Sequence, residues 1–357
     1  MALSQAVPQE TRQDTKTTEE LVSLIRGFFA TPVIAGLGRL GAAEVILNRS
    51  ELTPQDFDQI PNKRLLLFAL DYLTRIGLLE KDDPDKDRYR PTELGRQVFQ
   101  RLNSFFAPHS YREYLHEFHK QLQNAGPYQK QDVDRLENII GSGRTHERYF
   151  PPAVSFLRRK VKFKTIADIG CGDGRFLDFV LKGVPGVNAV GIDLSEVSVK
   201  TTLENLQKRY PGRQMTTFAA DGADVPAWSR RLLDIAKSDE LVLSMWFLLH
   251  EISRRDPQNV KNFLLKVHQL FPKTPLVICE LVRQNAEFLV RHRKELIMPE
   301  YILFHDISEQ GVLSWPQYQK ILKEIPYQLA MERLFDEIGD GPEAKEPATF
   351  VWCLTPK

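Results

Sequence analysis

The 357-residue sequence has few cysteines, almost no net charge and no long uninterrupted apolar run. Its three cysteines, Cys171, Cys279 and Cys353, are unevenly spaced in apolar surroundings. This argues against a disulfide framework or a zinc knuckle and favours reduced thiols in a cytoplasmic protein. A formal net charge of +1 gives no electrostatic reason to expect a nucleic acid or a membrane as a partner. No apolar run approaches membrane-spanning length, and residues 1–20 are too polar for a secretory signal.

The rest of the composition is that of a globular protein. Hydrophobic residues make up 42% of the chain and charged residues 27%, which are ordinary proportions for such proteins. Because the chain is longer than one average hydrophobic core requires, the length predicts two domains.

The most informative stretch is residues 166–174, which read Ile-Ala-Asp-Ile-Gly-Cys-Gly-Asp-Gly. The pattern predicts a buried strand, a tight glycine turn and the start of a helix, and glycines let a ligand approach the backbone closely. About twenty residues later, Val190-Gly191-Ile192-Asp193 ends a second strand with an acid suited to a ribose diol. Such turns also occur in nicotinamide and flavin proteins. Asp173, however, would repel a pyrophosphate and would tolerate a ligand that carries an amine and a sulfonium.

These residues resemble motif I of the class I methyltransferases that depend on S-adenosylmethionine (SAM), and Asp193 matches their ribose-binding acid. By this resemblance Asp221 would face the adenine amine; it could also cap a turn, and both roles could hold together. The resemblance implies that SAM is bound by residues on four strand ends: Asp168, Gly170, Gly172, Gly174, Asp193, Leu194, Asp221, Gly222 and Ser244.

From residue 164 onward, predicted strands and helices alternate. The predicted strands are 165–169, 188–192, 215–219, 240–245 and 275–280, followed by two late strands at 327–335 and 348–354. Alternation of this kind predicts an α/β fold, Rossmann-like and doubly wound around a parallel sheet. Two consecutive strands at the end suit the reversed terminal strand of the seven-stranded methyltransferase sheet.

The N-terminal part is predicted to be mainly helical. Apolar spacing predicts helices at 21–30, 33–47 and 63–79, then a small hairpin and a helix at 93–102. Helices followed by a hairpin indicate a winged-helix module, but the helix at 63–79 lacks the basic residues of a DNA-recognition helix. The stretch resembles the N-terminal domain of small-molecule O-methyltransferases, which forms their homodimer, and we favour that interpretation. A winged-helix regulator that senses SAM remains the alternative.

Four segments follow from these patterns. We predict a disordered tail (1–16), a winged-helix-like dimerisation domain (17–103), a helical connector that covers the active site (104–160) and the methyltransferase domain (161–357). The connector's place over the site is implied by the resemblance. Candidate substrate-binding residues are aromatic or apolar side chains in the connector and near the later strand ends: Tyr149, Phe150, Trp246, Met298 and Phe304.

His250 is the candidate general base, because it directly follows the apolar strand that ends in residues 243–249. An imidazole with a pKa near neutrality can remove a proton from a phenol, an enol or an activated carbon. Glu251 would orient it. His305 lies about 55 residues further on, in a segment where related enzymes build the substrate pocket. The pair His250 and His305 could hold a divalent or ferric ion, as in certain α-keto acid C-methyltransferases that the chain resembles, or His305 could merely shape the pocket.

Four acids could crowd the same region, namely Glu251, Glu280, Glu300 and Asp306. If they face the pocket, a cationic guanidino keto acid is a plausible substrate, as in 2-ketoarginine methyltransferases. They could equally be surface or ion-paired residues. The sequence thus predicts a homodimeric SAM-dependent methyltransferase of a small molecule, and favours C-methylation of an α-keto acid over O-methylation of a phenol or hydroxyl with His250 as base.

Overall fold

The protein is described here by a computed structural model that covers residues 12–83, 85–123, 133–134, 137–138, 141, 143, 146–254, 256–292, 297–335 and 347–357. The chain divides into two compact units, residues 1–112 and 113–357. Two short helices, α6 (Arg112–His116) and α7 (Phe118–Gln123), begin at the boundary.

The N-terminal unit contains five helices and a small hairpin in its described part. The helices are α1 (Arg12–Arg39), α2 (Ala42–Asn48), α3 (Lys63–Arg75), α4 (Glu93–Gln100) and α5 (Asn103–His109), and the hairpin pairs β1 (Leu79–Glu80) with β2 (Arg90–Pro91). Side-chain caps fix two of the helix starts: the Asn62 side chain accepts from Leu65 N, and Thr92 accepts from Gly95 N. The helix, hairpin and helix predicted between residues 63 and 102 are present, but the first helix ends at Arg75 rather than at 79, and the last ends at Gln100.

Helix α1 differs from its prediction in two ways. It runs without interruption through Pro32, and residues 12–16 belong to it rather than to a tail. A proline removes one helical hydrogen bond, but most of α1 between residues 18 and 29 is exposed, so water can satisfy the freed carbonyl. The real break comes at Gly41, whose φ of 76° caps α2.

Helix α1 also corrects the expectation about apolar runs. Within the described residues, Thr17–Arg39 is the one helix long and apolar enough to cross a membrane, with a mean hydropathy of 1.6 over its most apolar window. Only 17% of that window is buried. By this measure of length and composition the expectation that nothing approaches spanning length was wrong, because Ser23, Arg26 and Pro32 interrupt the apolar run without bringing its mean hydropathy below 1.6.

The C-terminal unit is built on a seven-stranded sheet in the order β5-β4-β3-β6-β7-β9-β8. Its strands are β3 (Thr165–Ile169), β4 (Asn188–Asp193), β5 (Met215–Ala219), β6 (Leu241–Trp246), β7 (Leu276–Leu281), β8 (Tyr327–Phe335) and β9 (Thr349–Pro356). All pairings are parallel except β7 with β9 and β8 with β9. The predicted doubly wound sheet with a reversed terminal strand is therefore confirmed.

Helices cover both faces of this sheet. The α-helices of the C-terminal unit after α7, in its described part, are α8 (Phe150–Lys160), α9 (Arg175–Gly183), α10 (Glu196–Arg209), α11 (Val225–Ile235), α12 (Leu249–Ser253), α13 (Pro257–Leu270), α14 (Ala286–Arg291), α15 (Met298–Ile307) and α16 (Trp315–Glu324). Alternate strand residues enter two separate buried clusters: Ala167 and Leu243 face α11 and α13, whereas Ile166 and Val242 face α8 and α9. Since strands buried on both faces need apolar residues throughout, a polar side chain in β3 or β6 has a specific reason to be there.

Candidate functional site

The predicted glycine turn connects β3 to α9 and has the backbone geometry that glycine permits. Gly170, Gly172 and Gly174 have φ values of 78°, 54° and 81°, a region that other residues seldom adopt. Space is also limiting at Gly174, because a Cβ there would lie 2.6 Å from Thr202 Cγ2. The turn is anchored by Gly170 N, which donates to Ile192 O at 2.8 Å, and by Thr202 Oγ1, which donates to Gly172 O at 2.9 Å.

Asp193 ends β4 directly beside this turn. Its Oδ2 accepts from Gly172 N at 2.9 Å and its Oδ1 accepts from Ser195 N at 2.9 Å. Burial raises the pKa of Asp193 above its ordinary value, against these two backbone hydrogen bonds, which lower it. An ionised carboxylate offers about four acceptor sites, so two remain for the two hydroxyls of a ribose.

Asp168 and Ser244 occupy the same register position on neighbouring strands and bind each other. Ser244 Oγ donates to Asp168 Oδ1 at 2.7 Å, and both side chains are buried. Burial raises the pKa of Asp168 to about 7. This is the polar pair that interrupts the apolar faces of β3 and β6, and a ligand cation above the turn would favour its ionised form.

The remaining predicted SAM residues lie at the neighbouring strand ends. Leu194 follows Asp193 and is 64% exposed, while Asp221 Oδ1 accepts from Ala223 N and so caps a turn. A Cβ at Gly222 would lie 3.0 Å from Ile169 Cγ2. The glycine turn, the lone pairs left on Asp193 and the exposed apolar surface of Leu194 fit a nucleoside that carries a cationic side chain.

His250 is buried at the carboxyl end of β6, and its partner is Glu280 rather than Glu251. His250 Nδ1 lies 2.7 Å from Glu280 Oε1, and Glu280 is fully buried at the end of β7. Backbone N–H groups of His250 and Leu281 also donate to the Glu280 carboxylate. Glu251 is exposed and accepts from Gln310 Nε2, so its predicted orienting role was wrong. The sequence did carry a signal for Glu280, because an acid lies near the end of the apolar strand Leu276–Leu281.

His305 lies against His250, as the sequence suggested. The two rings meet edge to face with centroids 4.7 Å apart. His305 Nδ1 lies 2.5 Å from Tyr301 O. Because a carbonyl only accepts, His305 Nδ1 carries the proton and its Nε2 keeps a lone pair.

The pKa values of the two histidines are shifted in opposite directions. Burial lowers the pKa of His305 to about 3, helped by the neighbouring His250. For His250, burial would lower the pKa, but the charge and hydrogen bond of Glu280 outweigh it and raise the pKa above the ordinary value. A proton taken up by this pair therefore resides on His250.

The described residues do not complete a metal site. They contain no group of three or more His, Cys, Asp or Glu side chains placed to hold an ion. His250 and His305 would supply two nitrogens, and the nearest acid, Glu280, is already bound to His250 Nδ1. The donor set does not fit the ion that the resemblance to keto acid enzymes suggested.

The four acids expected to crowd the pocket do not converge. Asp306 forms a two-pronged ion pair with Arg283, and Glu280 is committed to His250. Glu251 and Glu300 are exposed. This distribution gives no common anionic patch for a guanidino group.

The predicted substrate residues are all buried among apolar neighbours. Phe150 and Trp246 pack edge to face at 4.6 Å, and Met298 lies in a small cluster with Ala348. Tyr149 contacts Phe335, with ring centroids 4.8 Å apart, and Phe304 is 6% exposed. Contact between these side chains and a substrate stays a prediction.

Two residues near His250 were missed by the sequence analysis. Phe247 follows β6 with a φ of 54°, which is unusual for a residue with a side chain. The ring of His146 stacks on it with centroids 3.8 Å apart and an interplanar angle of 24°. Burial lowers the pKa of His146 to about 3, so it is neutral. Nothing in the residue pattern around 146 marked this contact.

The chain is similar to known proteins in one stretch of its sequence and in its fold. A family model described as "Methyltransferase domain" matches residues 166–264. No curated protein sequence matches. Solved structures that share the fold include human N-acetylserotonin methyltransferase in complex with SAM, with 13% identity, a TM-score of 0.65 and coverage of 99% of each chain.

Two bacterial structures also share the fold. An O-methyltransferase family protein from Burkholderia thailandensis has 14% identity and a TM-score of 0.63, over 95% of this chain and 98% of that one. A riboflavin-derivative N,N-dimethyltransferase from Streptomyces davawensis has 15% identity and a TM-score of 0.54, over 98% and 100%. At such identities these likenesses establish the fold. With the matched domain and the glycine turn beside Asp193, they lead to one conclusion: the chain is a SAM-dependent methyltransferase.

Proposed function

We propose that this enzyme transfers the SAM methyl group to an acidic hydroxyl of a small molecule, with His250 as the general base. The observation that carries the proposal is the buried contact of 2.7 Å between His250 Nδ1 and Glu280 Oε1, at the strand ends next to the predicted cofactor site. The matched O-methyltransferase family protein and N-acetylserotonin methyltransferase support a small acceptor.

The tautomer of His250 follows from its partner. Because the Glu280 carboxylate only accepts, His250 Nδ1 carries a proton and Nε2 presents its lone pair. Nε2 would take the acceptor's proton, and Glu280 would stabilise the imidazolium that forms. SAM supplies the electrophilic methyl group, and the chain's part is to align the acceptor with it and to exclude water.

A carbon acceptor is the second candidate. The observation that favours it is the second imidazole, His305, whose ring centroid lies 4.7 Å from that of His250. Removal of a proton from a carbon next to a carbonyl would use the same base. The missing third ligand and the dispersed acids give less support to a metal-chelated guanidino keto acid than to a phenol.

Transfer assays distinguish the two candidates. Purified enzyme would be incubated with methyl-labelled SAM and panels of phenols, α-keto acids and arginine derivatives. We expect label to enter a phenolic or enolic hydroxyl, and a chelator to leave the rate unchanged. Label in a keto acid carbon, lost on chelation, would contradict the proposal in favour of the second candidate.

The exposed face of α1 supports a homodimer. Leu21, Leu24, Ile25 and Phe28 follow helical spacing on one side of the helix and are between 52% and 75% exposed. A contiguous apolar stripe of this kind marks an interaction surface. On α3, Leu65 and Phe68 are also exposed, which suits a protein partner better than nucleic acid. We propose a second copy of the chain as that partner, and the cytoplasmic location stays a prediction.

Charged residues in the stripe should separate the subunits. We expect the double substitution Leu24→Asp and Phe28→Asp to convert a dimer into a monomer, because burying two carboxylates in an apolar interface is strongly unfavourable. Light scattering after gel filtration should report twice the 41.1 kDa chain mass before the change and one chain mass after it. Val290→Asp, at a 63% exposed site in the other unit, is the matched control. An unaltered mass in the double variant would show that another surface holds the subunits together.

A further inference from the structure

Arg175 joins the cofactor turn to the chain that precedes α8. It is the first residue of α9, directly after Gly174. Its Nε donates to Asp173 Oδ2 at 2.6 Å, and its Nη1 donates to Glu147 Oε1 at 2.5 Å. The backbone of Gly143 also lies close, since a Cβ there would be 3.2 Å from Arg175 Nε. One guanidinium therefore holds two carboxylates from separate segments.

Glu147 belongs to a short stretch that we name the cover turn (residues 146–150). This stretch contacts the residue that leads from β6 to the proposed base: His146 stacks on Phe247 at 3.8 Å, and the Tyr149 ring centroid lies 5.8 Å from that of Phe247. Phe247 N in turn donates to Cys279 O at 2.8 Å, one residue before Glu280. The contacts thus run from Asp173 to the neighbourhood of His250 without a gap.

The ion pairs at Arg175 are suited to positioning rather than to stability. The side chains of Arg175, Glu147 and Asp173 are 28%, 45% and 21% exposed, and pairs this open to water add little to folding free energy. A guanidinium fork, however, fixes the direction of each carboxylate that it binds. Two donors on one rigid plane hold Glu147 in a defined place relative to the turn.

We propose that Arg175 is a positioning residue that couples occupancy of the cofactor turn to the order of the cover turn. A bound cofactor immobilises the turn that carries Asp173, and Arg175 transmits this to Glu147 and to the His146 ring on Phe247. The inference rests on the proposed function, because it assumes that the glycine turn holds SAM for the transfer that His250 assists. Coupling of this kind is reciprocal, so order in the cover turn also favours cofactor binding.

Hydrogen exchange with the demethylated cofactor S-adenosylhomocysteine (SAH) tests the coupling without any knowledge of the acceptor. In the wild-type enzyme, saturating SAH should slow exchange of the amides at 146–150 by roughly fivefold or more. Glu147→Gln should abolish that slowing. Because the coupling is reciprocal, calorimetry should show that Glu147→Gln weakens SAH affinity by no more than the factor by which SAH slows exchange in the wild type.

Two further variants sharpen the test. Adding Arg175→Gln to Glu147→Gln should cause no further loss of protection at 146–150, since each substitution alone already breaks the contact between Arg175 and Glu147. Arg209→Gln breaks a comparable exposed pair, Arg209 with Asp178 at 2.6 Å, and should leave the slowing intact.

Slowing that persists in Glu147→Gln, or SAH binding to the wild type without slowing, would overturn the coupling and leave the proposed function standing. Failure of the folded wild type to bind SAH would instead overturn the proposed function itself.

Discussion

His250→Asn should lower kcat for methyl transfer by about 10²- to 10⁴-fold, the usual contribution of a positioned general base. Asparagine keeps a polar side chain of similar size but cannot take up a proton at neutral pH. Because His250 contacts Glu280 and His305 rather than the glycine turn, SAH affinity should stay within about threefold of wild type, a change below 1 kcal/mol. Rate assays and calorimetry on the same preparation would measure both quantities.

An exposed histidine gives the matched control. His116 has a 73% exposed side chain in the same unit, and His116→Asn should leave kcat unchanged. His305→Asn should lower kcat less than His250→Asn, since His305 is held neutral. Equal losses at His250 and His305 would indicate that the two rings act as one site, as a metal-chelated keto acid would require.

Glu280→Gln should lower kcat by about 10²-fold, because the general base loses its orienting carboxylate. Both Glu280 oxygens now accept: Oε1 from Leu281 N and His250 Nδ1, and Oε2 from His250 N. A glutamine must place its NH₂ group against one of these donors, whichever way the amide is turned. At the Oε1 position the NH₂ group opposes His250 Nδ1 and disturbs the tautomer that exposes the Nε2 lone pair. At the Oε2 position it opposes His250 N and displaces the backbone that carries the ring.

The same substitution should move the pH profile in a defined direction. The charge and hydrogen bond of Glu280 raise the pKa of His250, and activity requires the neutral ring, so wild-type kcat/KM should rise with pH through a pKa above the ordinary histidine value. Without the carboxylate that pKa falls, and the acid limb should shift to lower pH while the plateau drops. A limb that stays in place would show that Glu280 does not set the protonation of the base.

The fold and the backbone geometry of the candidate cofactor site could be predicted because their signals are local. Gly170, Gly172 and Gly174 adopt positive φ values within one turn, and Asp193 follows at the spacing that a nucleotide-binding strand pair requires. The strands were recognisable because buried parallel strands are continuous apolar runs. In each case neighbouring residues contain the whole pattern.

The partner of the proposed base could not be predicted in this way. Glu280 is 30 residues from His250, and only the pairing of β6 with β7, in which Trp246 lies opposite Cys279, brings the two together. Glu251 was favoured for its adjacency, yet the helix that starts at Leu249 directs it to solvent. Likewise, the contact of His146 with Phe247 depends on a turn whose sequence carries no apolar period.

The central claim is that the glycine turn and Asp193 hold SAM, and calorimetric titration of SAM into the purified protein tests it most directly. We predict saturable binding of one SAM per chain, and loss of about 10²-fold in affinity on Asp193→Ala, because two hydrogen bonds to a charged acceptor disappear. A titration without binding heat, on protein whose circular dichroism shows it to be folded, would contradict the account.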